Sequence, residues 1–398
     1  MATPPVTSIF DYTFALPGSS WPAKIAEFFS GAKKPYCYNF KDSNTAKLQT
    51  MRGNVRSGKQ NGRVICMGDS IPGGHGTGTG ANGFSGARQK AFPRKVAEQV
   101  NRELLPAQSI AITGGAGVSG GVTVQDYYGG ASRLVPGPGW GNISQGIGGG
   151  YWQNSTTSDP LAWMPEVPVD TLEYSYAQFS GAATFTVDIG GAALETVVAA
   201  NAAGAAPIRK VTLGGPASLR AINWKRLSGG ALNLCWATAY DSTKAIIDVW
   251  NAGISGALVD TINNTANPWS ARSAVVAAQP DVVFVQIGMN NWIQNTDPTL
   301  FDPALRSLLQ ALMATGATVI LVNPTPRAVA NTPLVTQMIY VNKIVAMAIE
   351  LDLPFLDLRE MFVSWEVANG RSWMNDVTHP GQVGASMIAE PYAYALAA

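Results

Sequence analysis

Charge is scarce in this chain. Asp, Glu, Lys and Arg make up 13% of 398 residues, and the formal net charge is +1. There is no basic excess to neutralise phosphates, which argues against nucleic acid and anionic membrane surfaces as partners. The three cysteines, Cys37, Cys66 and Cys235, are odd in number and far apart. They make neither a disulfide framework nor a paired metal motif. Cys66 lies in an apolar run and reads as a small buried hydrophobe. The N-terminus lacks a basic n-region and a long apolar core, so no signal peptide is expected. No unbroken apolar run is long enough to cross a membrane, and the chain reads as soluble. There is no HExxH pattern and no Cys/His cluster, so no metal is expected. "GGHGTGTG" lacks the Lys-Ser/Thr ending of a phosphate loop, which discounts nucleotide binding. Histidine is the rarest of the potential catalytic residues: only His75 and His379 occur.

What is present suffices for two or three domains. Apolar residues make up 46% of the chain, and 11 Trp with 12 Tyr argue against disorder. Three textures follow one another. Residues 1–60 form an extension with helical segments, "WPAKIAEFF" and then "DSNTAKLQTMRGNVRSGK", the second capped by Asp42 or Ser43. Residues 61–105 hold a strand, Arg63 to Met67, and a helix at about 86–104 that Pro93 must kink or restart. From 106 to 243 there are glycine clusters at 114–121 and 146–150, then short alternating runs such as "TLEYSYAQF", "AATFTVDI" and "ALNLCWATAY". These predict antiparallel strands in a sandwich or jelly roll. From 244 to 398 strands and helices alternate, predicting a parallel sheet with helices on both faces. One helix is expected to start with Asp302 as N-cap and Pro303 at its first position. The fold expected is therefore an α/β/α three-layer domain with a parallel sheet, interrupted by a β-rich insert.

In such sheets, chemistry gathers at the carboxyl ends of strands. Gly68-Asp69-Ser70 comes directly after the first strand. Asn251-Ala252-Gly253 ends "AIIDVW", and Gly288-Met289-Asn290-Asn291 ends "DVVFVQI". Asp376-Val377-Thr378-His379 precedes the last helix. Together they offer a hydroxyl nucleophile, glycine N–H donors, an amide donor, and a base with an acid beside it. Acyl transfer needs this set.

The four blocks resemble the SGNH (GDSL-type) hydrolase family, over roughly 45–105 and 244–398. The resemblance implies Ser70 as nucleophile, His379 as base and Asp376 as its orienting acid. It implies the Ser70 and Gly253 N–H groups and the Asn290 amide as the oxyanion hole, with no cofactor. One position departs from the pattern: Asn291 stands where the family usually has Asp, which bears on how Asn290 is oriented.

Each residue also has a plain structural reading. Ser70 can be a helix cap, His379 a core histidine, Asp376 a helix-start acid, Gly253 a tight turn and Asn290 a turn residue. Four blocks in the family's order favour the chemical reading. His75 sits in the glycine loop, either as loop decoration or as a substrate contact. Trp140, Tyr151, Trp152 and Trp163 of the insert are candidates for sugar contact, with sandwich core or an oligomer contact as the alternative. The expected activity is hydrolysis of a small acyl ester, acetyl foremost, on a carbohydrate. An acyltransferase or short-chain lipid esterase is the enzymatic alternative. A glycan-binding structural or virion protein with a degenerate site is the alternative of another class.

Overall fold

The computed structural model describes residues 27–28, 36–79, 85–114, 133–144 and 146–397. Most of the "WPAKIAEFF" segment and of the 114–121 glycine cluster lies outside these residues. A seven-stranded sheet runs in the order Cys37–Tyr38, Phe355–Asp357, Thr318–Asn323, Val282–Gln286, Gly62–Gly68, Ile247–Gly253, Ala107–Gln108. All neighbours are parallel except the Cys37–Tyr38 edge. The central strands are Val/Ile-rich and buried on both faces, as a parallel sheet covered by helices requires. Helices Asp42–Arg56, Phe92–Arg102 and Gln382–Ala397 pack together on one side; Pro298–Met313 and Leu334–Glu350 pair on the other. Tyr392 of the last helix joins one layer to the sheet, its ring 4.7 Å from Phe92 and 4.4 Å from Phe284.

Two five-stranded antiparallel sheets form the insert. Their facing sides enclose Trp163, Tyr174, Tyr176, Phe185 and Trp224. Strand Leu232–Tyr240 is buried along its whole length, because it faces this core on one side and the large sheet on the other. The second contact includes Trp236 against Trp250 at 4.6 Å and an ion pair between Arg63 and Glu173. Ala107–Gln108 pairs with Ile247 and Asp248, so the first residues of the 106–243 segment extend the large sheet before the chain departs.

Two local expectations need correction. The helix assigned to Asp302 and Pro303 begins five residues sooner, at Pro298, with Asp297 accepting the Thr299 N–H at 2.8 Å. This stretch has two Asp-Pro pairs, Asp297-Pro298 and Asp302-Pro303, and the first one caps. Asp302 instead pairs with Lys343 at 2.5 Å, and Pro303 sits within the first turns. The helix Asp42–Arg56 starts at Asp42 itself, capped from Lys41, whose N–H is taken by the Asn44 side chain.

Candidate active site

Register brings the site together. Gly68 pairs with Gly253 on one side and with Gln286 on the other. Three neighbouring strands therefore end level, and the residues beyond them meet above the sheet edge. Ser70 opens a short helix, Ser70–Gly73, whose N-cap Asp69 accepts the Ile71 N–H at 3.0 Å. The Ser70 N–H sits at the first helical position, where no intrahelical acceptor exists. Asn290 lies one residue into the helix Met289–Ile293, at the end of the next strand over.

His379 comes from the loop before the last helix. Its Nε2 lies 2.9 Å from Ser70 Oγ, and its Nδ1 lies 2.8 Å from Asp376 Oδ2. A carboxylate can only accept, so Nδ1 carries the proton and Nε2 is left to take one from Ser70. Asp376 is pinned in turn: its Oδ1 accepts the N–H groups of Thr378 and His379, both at 2.7 Å. Burial pushes the Asp376 carboxyl up, but the His379 ring and these backbone donors outweigh it and hold the group well below the usual carboxylate range.

Other parts of the fold clamp this loop. The Trp365 indole donates to Asp376 O at 2.9 Å, and the Ala328 N–H donates to Val377 O at 3.0 Å. Arg327 Nε donates to Thr378 Oγ1 at 2.9 Å. Sequence reasoning missed Arg327, yet it lies just beyond the Thr318–Asn323 strand, and reading that strand's end as well would have drawn attention to it.

Two of the groups expected around an oxyanion have partners. Gly253 N–H donates to Asn251 Oδ1 at 3.0 Å. One Asn290 N–H donates to Ala257 O at 3.0 Å, leaving its second for another acceptor. Asn291, in the family's usual Asp position, is buried. It accepts the Val259 N–H at 3.2 Å and donates to Thr296 Oγ1 at 3.2 Å.

Gly253 is required here by space. A Cβ at this position would lie 2.1 Å from Gly73 N and 2.6 Å from Pro72 C, both backbone atoms of the helix that carries Ser70. Backbone cannot swing aside as a side-chain tip can, so Gly253→Ala must displace that helix. A displacement near 1 Å costs about 100-fold in rate. We expect Gly253→Ala to lower kcat on an aryl acetate by about that factor while the circular dichroism stays native. Unchanged kcat would show that the helix yields without moving Ser70.

Asp69 gives a stability prediction. Burial pushes its carboxyl up to about 6, against smaller opposing effects of the Ile71 N–H and His379. An unfolded Asp titrates near ~3.9, so between about pH 4 and pH 6 the folded state holds an extra proton. Stability contributed by this group is therefore lost as pH rises through that window. Asp69→Asn keeps the acceptor for Ile71 and removes the buried charge. Its melting temperature relative to the parent protein should be more favourable at pH 8 than at pH 4. An equal difference at both pH values would contradict the reading.

His75, Asp376 and His379 place ligand atoms within 4.8 Å of one another, a spacing open to a metal ion. Both His379 nitrogens are already engaged by Ser70 and Asp376, so an ion would have to displace one of them.

The four insert aromatics do not form an exposed platform. Trp140, Tyr151, Trp152 and Trp163 retain 8%, 9%, 1% and 3% of their accessible surface. They lie on strands Trp140–Ser144, Gly150–Asn154 and Pro160–Trp163, whose Gly, Asn and Pro content reads as loop. Trp140, Trp152 and Trp163 belong to the sandwich core. Tyr151 lies near buried Cys235, where burial raises its hydroxyl pKa. Sugar stacking is therefore withdrawn for these residues. The insert approaches the site by other means: Thr113 Oγ1 donates to Asn251 O at 2.6 Å, two residues before Gly253.

Residues 224–386 match the GDSL-like Lipase/Acylhydrolase family. That stretch holds Gly253, Asn290, Asp376 and His379, while Ser70 lies upstream of it, across the inserted strands. Over that stretch the chain is similar to the SGNH (GDSL-type) hydrolases. A peptidoglycan O-acetylesterase structure aligns over 90% of this chain and 97% of its own, with TM-score 0.66 at 12% identity. That extent takes in much of the insert, so the SGNH-like domain and the β-rich insert are a shared architecture. A family two carbohydrate esterase from Clostridium thermocellum, bound to cellohexaose, aligns over 64% of this chain and 98% of its own, with TM-score 0.30 at 12% identity. An acetylxylan esterase from Geobacillus stearothermophilus aligns over 38% and 73%, with TM-score 0.31 at 23% identity. No curated protein matches the chain. Among the described residues, no helix is long and apolar enough to cross a membrane.

Proposed function

We propose that this protein is a serine esterase that removes small acyl groups, acetyl foremost, from a carbohydrate. The observation that carries the reading is the unbroken hydrogen-bonded series from Ser70 Oγ through His379 to Asp376. Ser70 Oγ attacks the ester carbonyl carbon as its proton passes to His379 Nε2. The tetrahedral oxyanion forms against the Ser70 N–H and the second Asn290 N–H, with Gly253 N–H sharing its bond to Asn251 as a third donor. Collapse breaks the bond to the alkoxide, which leaves with the proton from His379. Water, deprotonated by the same nitrogen, then attacks the acyl-serine; as the acyl–Oγ bond breaks His379 returns that proton to Ser70 Oγ, and the carboxylic acid is released. Asp376 stabilises the imidazolium in both halves.

The carbohydrate part of the proposal has narrower support. The whole-chain fold shared with a peptidoglycan O-acetylesterase includes the β-rich insert, and the insert abuts the strand that bears Gly253. The test has two stages. Turnover of p-nitrophenyl acetate establishes the esterase. Acetate release is then measured from O-acetylated peptidoglycan, acetylated xylan and other acetylated polysaccharides. Aryl acetate cleavage without release from any polysaccharide would remove the carbohydrate assignment. Failure on all substrates would remove the esterase.

A further inference from the structure

The chain's two histidines, His75 and His379, lie face to face. Their ring centroids are 3.6 Å apart and their planes differ by 12°. The glycine loop is built to allow this. His75 is flanked by Gly74 at φ +89° and Gly76 at φ +86°, conformations that other L-residues rarely adopt. The His75 N–H is anchored on Ser70 O at 3.0 Å. A Cβ on Gly76 would lie 2.9 Å from Pro380 O and 3.0 Å from His379 Cβ. The loop is thus pressed against the His379 segment as closely as glycine permits, and His75 is half-buried there.

We propose that His75 is a positioning residue for His379, its ring lying on the face of that imidazole and holding it in the plane that reaches Ser70 and Asp376. The proposal rests on the esterase reading above for its catalytic consequence, and on the ring geometry for its structural one. Two hydrogen bonds at the edge of an imidazole fix its ends. They resist rocking about the line joining the two partners only weakly, because the ring tilts around that line with little change in either distance. A flat ring against the face blocks this motion and keeps water from that side. It also presents a π-face to the imidazolium that forms when Ser70 gives up its proton.

The support must stay neutral to do this, since two imidazolium rings at this distance repel. Burial pushes the His75 imidazole down to about 4, and the neighbouring His379 adds to that effect while Asp376 opposes it. The ring is therefore uncharged wherever an imidazole base is in its working form.

The experiment compares His75→Ala, His75→Asn and His75→Phe with the parent protein. Phe keeps a flat ring and removes both nitrogens. Steady-state rates on p-nitrophenyl acetate should show kcat lowered about 10- to 100-fold in the Ala variant with KM within about twofold. The Phe variant should recover most of that loss. The Asn variant should resemble Ala, and it replaces Ala if Ala does not fold. NMR of the imidazole protons gives a reading independent of turnover, with only two histidines to assign. The His379 ring signals should move and broaden in the Ala and Asn variants and return in Phe. A folded Phe variant as impaired as Ala would mean that His75 acts through a nitrogen, and would overturn the stacking role. Parent-like kcat and parent-like His379 signals in the Ala and Asn variants would also overturn it, while loss of activity in Ser70→Ala left the esterase reading standing. If no ester is cleaved by the parent protein, that reading falls, and the NMR comparison still decides whether His75 holds the ring.

Discussion

Ser70→Ala and His379→Ala should each lower kcat/KM for p-nitrophenyl acetate by about 10³-fold or more. Ser70 Oγ and His379 Nε2 are already at hydrogen-bond distance. Removing the hydroxyl leaves no nucleophile there. Removing the imidazole leaves the hydroxyl with a pKa far above the working pH and no acceptor for its proton. The two losses should not add: once either is gone the other has nothing to act on, and the double variant should resemble each single one. Asp376→Ala should be distinguishable. The His379 N–H and the Thr378 N–H also depend on Asp376 Oδ1, so the loop loosens along with the ring. If His379→Ala kept near-native turnover while His75→Ala and His75→Phe both lost it, the base would be His75, and the geometry at Ser70 would have been misread.

The residues that meet at this site were legible because their signal is topological. A parallel sheet carries the carboxyl end of every strand to one edge, so Ser70, Gly253 and Asn290 are visible as strand-end residues in the sequence itself. The sandwich aromatics were not legible in the same way. "PGPGWGN" and "GGGYWQN" carry loop composition, yet they form strands whose Trp140 and Trp152 point inward. Strand pairing with distant partners, here Trp140 with Asn154 and Trp152 with Leu234, overrides the weak local preference of Gly and Asn. The stacking of His75 on His379 has no local signal at all. It arises where two loops 304 positions apart in sequence are pressed together, and nothing in "GGHGTG" marks the histidine as different from loop decoration. The two Asp-Pro pairs show a third kind of limit. Asp297-Pro298 and Asp302-Pro303 carry the same helix-start signal, and only the hydrogen bond from Thr299 decides between them.

Asn290→Ala should lower kcat by about 10²–10³-fold with little change in KM, the loss seen when one oxyanion donor is removed. The argument turns on when the bond is made. A planar ester oxygen gains little from the amide in the ground state. The tetrahedral oxygen carries a full negative charge and moves toward it, so the interaction grows as the barrier is crossed. The bond from Asn290 Nδ2 to Ala257 O restrains the amide plane and leaves its second N–H for the oxyanion role proposed above. Asn290→Asp should be as impaired as Ala or more so, because a carboxylate offers no donor and adds like charge. Asn291→Asp is the contrasting variant. Its Oδ1 still accepts from the Val259 N–H, and the Thr296 hydroxyl can turn to donate to the second oxygen, so the helix carrying Asn290 keeps its place. That variant should retain activity within about tenfold. A rise in KM at constant kcat for Asn290→Ala would mean that the amide binds substrate and transition state alike, and would take it out of the oxyanion hole.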